Sequence, residues 1–145
     1  YYTGEANLNT NFPSYTLPYT AAHELSHQRG TAREDEANFL AFLVCMESDD
    51  EYIKYSGYLN LFEYVAGALY KADSSLYSSL MSDLDMRIYS ELFSYNNFFD
   101  KYKDSAVSKI SGTVNDTYLK SQGQEAGTES YGRVVELAVA YFIPN

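Results

Sequence analysis

Both histidines of this chain fall in one short stretch, Ala21-Ala22-His23-Glu24-Leu25-Ser26-His27. The spacing H-E-x-x-H constrains the local fold, because residues four apart sit one above the other on one face of an α-helix. On such a helix His23 and His27 present two imidazoles to one point, as a tetrahedral Zn²⁺ requires. Glu24 follows the first ligand and can reach a water in the open coordination position as general base. A solvated helix with two surface histidines and a surface glutamate would carry the same letters. The flanking residues decide between these readings.

Pro18 suits a first helical turn and Thr20 is a cap candidate just inside it. The helix then runs to about Arg29, where Gly30 supplies a residue that takes the left-handed conformation without penalty. A second helix starts at once, with Thr31 and Glu34 at capping-box spacing. From Ala37 to Met46 every residue except Asn38 is apolar, which predicts a buried central helix and a specific partner for Asn38.

A zinc site needs a third protein ligand, and no third histidine exists. The run Glu34-Asp35-Glu36 offers a carboxylate. A tight antiparallel hairpin at Gly30 brings Glu34 beside His27, and Asn38, one turn on, beside His23. The hairpin selects Glu34 as ligand and assigns Asn38 to orient the free ring nitrogen of His23. Glu36 lies about 160° round the helix from Glu34. The capping box alone would explain Glu34, but not a buried asparagine.

Downstream, Asp49 and Asp50 cap a third helix whose apolar stripe includes Ile53, Leu59, Phe62, Val65, Ala66 and Leu69. Gly57 and Gly67 mark a kink or close packing within it. A short helix follows from Ser74 to Met81. Residues 85–121 read as helix in two pieces, broken near Asn96-Asn97 or Gly112. Residues 121–128 read as a loop and Ser130–Phe142 as a last helix. Residues 1–17 read as turn and extended chain, with one short strand around Glu5–Leu8. The expected fold is mainly α: a single zincin-like domain over residues 1–145, with a minor extended or β N-terminal segment.

Length and composition fit this. The chain has 145 residues and 46% hydrophobic content, enough for one core. A net charge of −10 argues against nucleic-acid partners. Cys45, the one cysteine, lies in an apolar run and reads as a buried, inert thiol. The runs Phe39–Met46 and Val134–Ile143 are too short to span a bilayer. No signal peptide is visible, and the start Tyr1-Tyr2-Thr3 suggests a piece of a longer protein. Sixteen tyrosines without tryptophan suggest an aromatic cleft.

H-E-x-x-H followed by Glu34, Ala37 and Asn38 resembles the gluzincin metallopeptidases, with asparagine where many members have aspartate. The metzincin pattern fails, because Arg33 stands where its third histidine would be. The segments Gly4–Asn9, His23–Gly30, Glu34–Phe39, Tyr55–Tyr58, Asn115–Lys120 and Ser130–Val135 together resemble the bacterial DUF3810 family. That resemblance implies a zinc-peptidase fold and an N-terminal membrane anchor outside this chain, hence a location at the bacterial cell membrane. It implies no substrate.

The expected activity is peptide-bond hydrolysis, with Zn²⁺ as cofactor, a peptide or protein as substrate, and no nucleic acid. His23, His27 and Glu34 hold the metal, and Glu24 serves as base. A donor for the developing oxyanion is also needed. Tyr131 and Arg133, in the family-like Ser-Tyr-Gly-Arg segment, are the first candidates, with Tyr55 and Tyr58 second. The rivals are a catalytically silent metal-binding or interaction module on a peptidase-like fold and a helical interaction domain without metal.

Overall fold

In a computed structural model the protein is mainly α-helical; residues 8, 10–103 and 127–143 are described. The helices are α1 (Thr16–Gln28), α2 (Glu34–Met46), α3 (Glu51–Ala72), α4 (Ser74–Ser82), α5 (Met86–Lys103) and α6 (Gly127–Phe142). No strand occurs among the described residues. The expected strand at Glu5–Leu8 lies almost wholly outside them, as do Gly112 and most of the loop expected at residues 121–128.

Helix α1 begins two residues before Pro18, because Pro13 accepts from the Thr16 amide and hydroxyl at 3.0 and 2.9 Å. Pro18 has no N–H to satisfy, and the Tyr19 N–H is taken up across the fold by Ser56 Oγ of α3 at 3.1 Å. At the other end the Gly30 N–H bonds His27 O and the Thr31 N–H bonds Ser26 O, at 3.0 and 3.1 Å. This is a Schellman ending, and Gly30 supplies its left-handed residue at φ 104°. The chain reverses there and α2 packs back along α1.

The expected capping box does not form. Helix α2 starts at Glu34 itself, after an extended Arg33, with no side-chain cap. The Schellman turn carries Thr31 three residues upstream of the first helical residue, so its side chain cannot cap that turn. Nor is α2 buried all round. Ala37, Ala41, Phe42 and Cys45 face the core, while Leu40 and Val44 are 39% and 53% exposed. Helices α1, α3 and α6 cover only part of its circumference.

Asp50 caps α3, accepting from the Tyr52 N–H at 2.8 Å. Gly57 marks close packing: a Cβ there would lie 2.6 Å from Cys45 Cβ. Gly67 has no neighbour within 4 Å of such an atom. Asp73 caps α4 through the Ser75 and Leu76 N–H groups. Helix α5 runs unbroken through Asn96 and Asn97. Helix α6 begins at Gly127, three residues before the expected Ser130.

One cluster of buried side chains joins Tyr19 and Ala22 of α1, Ala41, Phe42 and Cys45 of α2, Leu61 of α3, and Val134 and Ala138 of α6. A second joins Tyr15, Leu59 and Leu92. Cys45 is buried, and burial pushes its thiol up to about 11. Among the described residues no helix is long and apolar enough to cross a membrane.

Candidate metal centre

The α1–α2 hairpin brings His23, His27 and Glu34 together. His23 Nε2 and His27 Nε2 are 3.0 Å apart. Glu34 straddles both, with Oε2 3.3 Å from His23 Nε2 and Oε1 3.3 Å from His27 Nε2. The imidazole rings meet edge to face, at 87°. Both are largely buried, while Glu34 keeps a third of its side chain exposed.

The local chain explains this convergence. Four-residue spacing stacks the two rings on one face of α1. Because Glu34 is not engaged in capping, its side chain is available to turn toward them. Glu36 points elsewhere, 3.4 Å from Arg33 Nε. His27 Nδ1 lies 2.7 Å from the Thr31 carbonyl oxygen. A carbonyl only accepts, so Nδ1 carries the proton and Nε2 of a neutral His27 presents a lone pair to the cluster.

Electrostatics then call for a proton or a cation between the three side chains. The lone pair of His27 Nε2 faces a carboxylate oxygen at 3.3 Å and a second imidazole nitrogen at 3.0 Å. Such an arrangement repels itself unless a proton or a cation sits within it. The hydrogen bond from His23 holds the Glu34 carboxyl below its usual range, while partial burial works against this. Tetrahedral zinc with bonds of about 2.0–2.2 Å sets its ligand atoms about 3.3–3.6 Å apart. The 3.3 Å from each ring to its own Glu34 oxygen meets the lower end of those edges, and the 3.0 Å between the two Nε2 atoms falls a little short of it. Two imidazoles and a carboxylate are also a donor set that leaves a fourth position open. The three residues therefore fit a metal such as zinc.

The surroundings differ from expectation in one respect. The sequence assigns Asn38 to His23, but His23 Nδ1 is buried with no hydrogen-bond partner among the described residues. The Asn38 carboxamide oxygen lies 3.4 Å from the Tyr19 hydroxyl, which donates to the Asn38 backbone carbonyl at 2.8 Å. Tyr19, four residues before His23 on the same face, reaches Asn38 first. Asn38 itself is only half-buried.

Glu24 is half-buried on α1, next to His23, and takes no hydrogen bond or ion pair among the described residues. Arg133 is not at the cluster. Its Nη1 lies 4.0 Å from Asp35, the neighbour of Glu34. Asp35 is 6% exposed and holds the Arg33 fork at 2.6 and 3.1 Å, a pairing that keeps its carboxyl below the usual range. The Tyr131 side chain lies outside the described residues. Tyr55 and Tyr58 line a groove of about 420 Å³ with Leu59, Ile88 and Phe142, and none of the three cluster residues borders it.

Sequence reasoning missed Tyr19, the Thr31 carbonyl, Asp35 and Ser56. Tyr19 had a readable signal, since it continues the face of His23 and His27 by one turn. The Thr31 contribution is backbone, so no side chain advertises it.

A model of the family described as "Protein of unknown function (DUF3810)" matches residues 1–139. Comparison with curated proteins gave no match, and neither did comparison with solved structures. With the match running from the first residue to the last helix, the chain belongs to the DUF3810 family.

Proposed function

We propose that this chain is a zinc-dependent peptidase of gluzincin-like type, with His23, His27 and Glu34 as the metal ligands. One observation carries the reading: His23 Nε2 and His27 Nε2 lie 3.0 Å apart, each 3.3 Å from one oxygen of the Glu34 carboxylate, with the proton of His27 held on Nδ1 by Thr31. Zinc bound there would polarise a peptide carbonyl and lower the pKa of a water in its open position. The protein's own part is to hold and move protons and to orient the substrate. Glu24, adjacent to His23 and without a partner among the described residues, takes the proton of the attacking water and delivers it to the leaving amine. Tyr131 or Arg133 supplies the hydrogen bond to the oxyanion. Arg133 would have to leave Asp35 for this role, and a contact of 4.0 Å is long enough to exchange. The same reading takes a peptide or protein as substrate. It also includes a membrane anchor outside these residues, on the strength of the family resemblance alone.

A catalytically silent metal-binding module is the second reading. It is favoured by the position of Arg133, which pairs with Asp35 and not with the cluster.

The experiment is a mixed peptide library read by mass spectrometry. The peptidase reading expects zinc-loaded wild type to cut and Glu24→Gln to be slower by about 10²–10⁴-fold, with zinc content unchanged. Equal cutting by both proteins would mean contamination. Zinc binding without cutting by either would favour the silent module.

A further inference from the structure

On α1 the face that carries His23 and His27 continues one turn back to Tyr19, and on α2 the face that carries Glu34 continues one turn forward to Asn38. The two faces are joined at two levels. At one, Glu34 meets both histidines at 3.3 Å. At the other, Tyr19 donates to the Asn38 backbone carbonyl at 2.8 Å. A single contact between two helices lets each roll and slide about it, whereas two contacts about one turn, or ~5.4 Å, apart fix both rotation and register.

Tyr19 is itself held firmly. Its ring is 5% exposed and its N–H bonds Ser56 Oγ. Its hydroxyl gives its one proton to the Asn38 backbone carbonyl. Burial pushes the Tyr19 phenol far above its ordinary range, so it stays a donor wherever the protein is folded. His23 has no comparable restraint among the described residues, where its Nδ1 meets no hydrogen-bond partner. Among the described residues the usual device of holding a ligating histidine by its second nitrogen is therefore present at His27 and lacking at His23.

We infer that the Tyr19 hydroxyl is a positioning group for the metal centre: by bonding the Asn38 carbonyl it sets the register of α1 against α2, and so the approach of Glu34 to His23 and His27. The inference rests on the metal-centre reading of the cluster. It assigns the work to the hydroxyl of Tyr19 and the backbone of Asn38, and not to the Asn38 side chain.

The test is a competition titration of zinc against a chromophoric chelator, with the melting temperature of each metal-free protein measured alongside. Tyr19→Phe keeps the buried ring and removes the hydroxyl. Asn38→Ala removes the side chain and keeps the carbonyl. Tyr19→Phe is expected to weaken zinc binding by about 10–100-fold, the range seen when support for a metal ligand is lost. Asn38→Ala is expected to weaken it by less than about tenfold. A purely structural role would lower the metal-free melting temperature of Tyr19→Phe and leave its zinc affinity at the wild-type value, and that result overturns the inference. So does Asn38→Ala losing as much affinity as Tyr19→Phe. Should Tyr19→Phe not fold, Asn38→Ala decides alone: near-wild-type affinity supports the backbone assignment, and a loss of tenfold or more overturns it. Wild type that binds no zinc overturns the metal-centre reading and this inference with it; wild type and Tyr19→Phe binding alike overturns only the inference.

Discussion

His27 Nδ1 lies 2.7 Å from the carbonyl oxygen of Thr31, across the turn that ends α1. The Schellman ending places that carbonyl, with Gly30 in the left-handed region. The turn that reverses the chain therefore also sets the tautomer of a candidate ligand. One residue of turn chemistry links the fold of the hairpin to the chemistry of the site.

The first prediction concerns the choice of carboxylate. Glu34 faces both imidazoles, whereas Glu36 faces Arg33 at the surface. Glu34→Gln removes a charged ligand and is expected to weaken zinc binding by at least about tenfold, whereas Glu36→Gln leaves it nearly unchanged. Chelator competition on both variants gives the ranking. The reverse order would mean that α2 presents a different face to α1.

Two glycines of α3 are expected to respond in opposite directions. A Cβ on Gly57 would meet Cys45 Cβ at 2.6 Å and Met46 Cε at 2.9 Å. Met46 can swing aside, but Cys45 Cβ is fixed to the α2 backbone. Gly57→Ala is therefore expected to destabilise by about 1–3 kcal/mol through overpacking. Gly67 has open space and is expected to gain about 0.5–1 kcal/mol on conversion to alanine. Urea unfolding of the two variants checks both signs.

A third prediction concerns pH. Tyr15 donates to Glu63 Oε1 at 2.8 Å. Burial holds the Glu63 carboxyl above its ordinary value of 4.5, and the Tyr15 hydrogen bond only partly opposes this. A carboxyl raised in the folded state binds its proton more tightly there than in the unfolded chain. Its contribution to stability is complete below the ordinary value and is lost as pH rises through the folded one. Glutamine is neutral throughout and still accepts from Tyr15. Glu63→Gln is therefore expected to melt higher than wild type at pH 7, with the difference closing as the pH falls toward 4.5. Melting curves across that window check it; a variant less stable at pH 7 would contradict the account.

Much of the hairpin was legible because its signals are local. H-E-x-x-H specifies a helix face, Gly30 specifies where it ends, and the distance from Gly30 to Glu34 specifies which carboxylate comes alongside. The start of α2 was misread because Thr31 and Glu34 satisfy a capping pattern that the Schellman turn makes geometrically unavailable. The expected contact between Asn38 and His23 does not form: the Asn38 carboxamide oxygen lies toward the Tyr19 hydroxyl, which bonds the Asn38 backbone, and pairwise spacing does not show which way a side chain turns. The burial of α2 was overstated because an apolar run reports what a helix can bury, and not how many neighbours surround it. The anchoring of Tyr19 by Ser56, 37 residues away, depends on how the helices assemble.

The most direct measurement is zinc content by elemental analysis of untagged protein, loaded with zinc and then gel-filtered, for wild type and His27→Ala. His27 is the more buried ligand and the one with a fixed tautomer, so its removal leaves a carboxylate and a single imidazole. The account predicts one zinc per chain in wild type and none retained by His27→Ala. Wild type without stoichiometric zinc, or His27→Ala retaining as much as wild type, would contradict the assignment of this cluster as a metal centre.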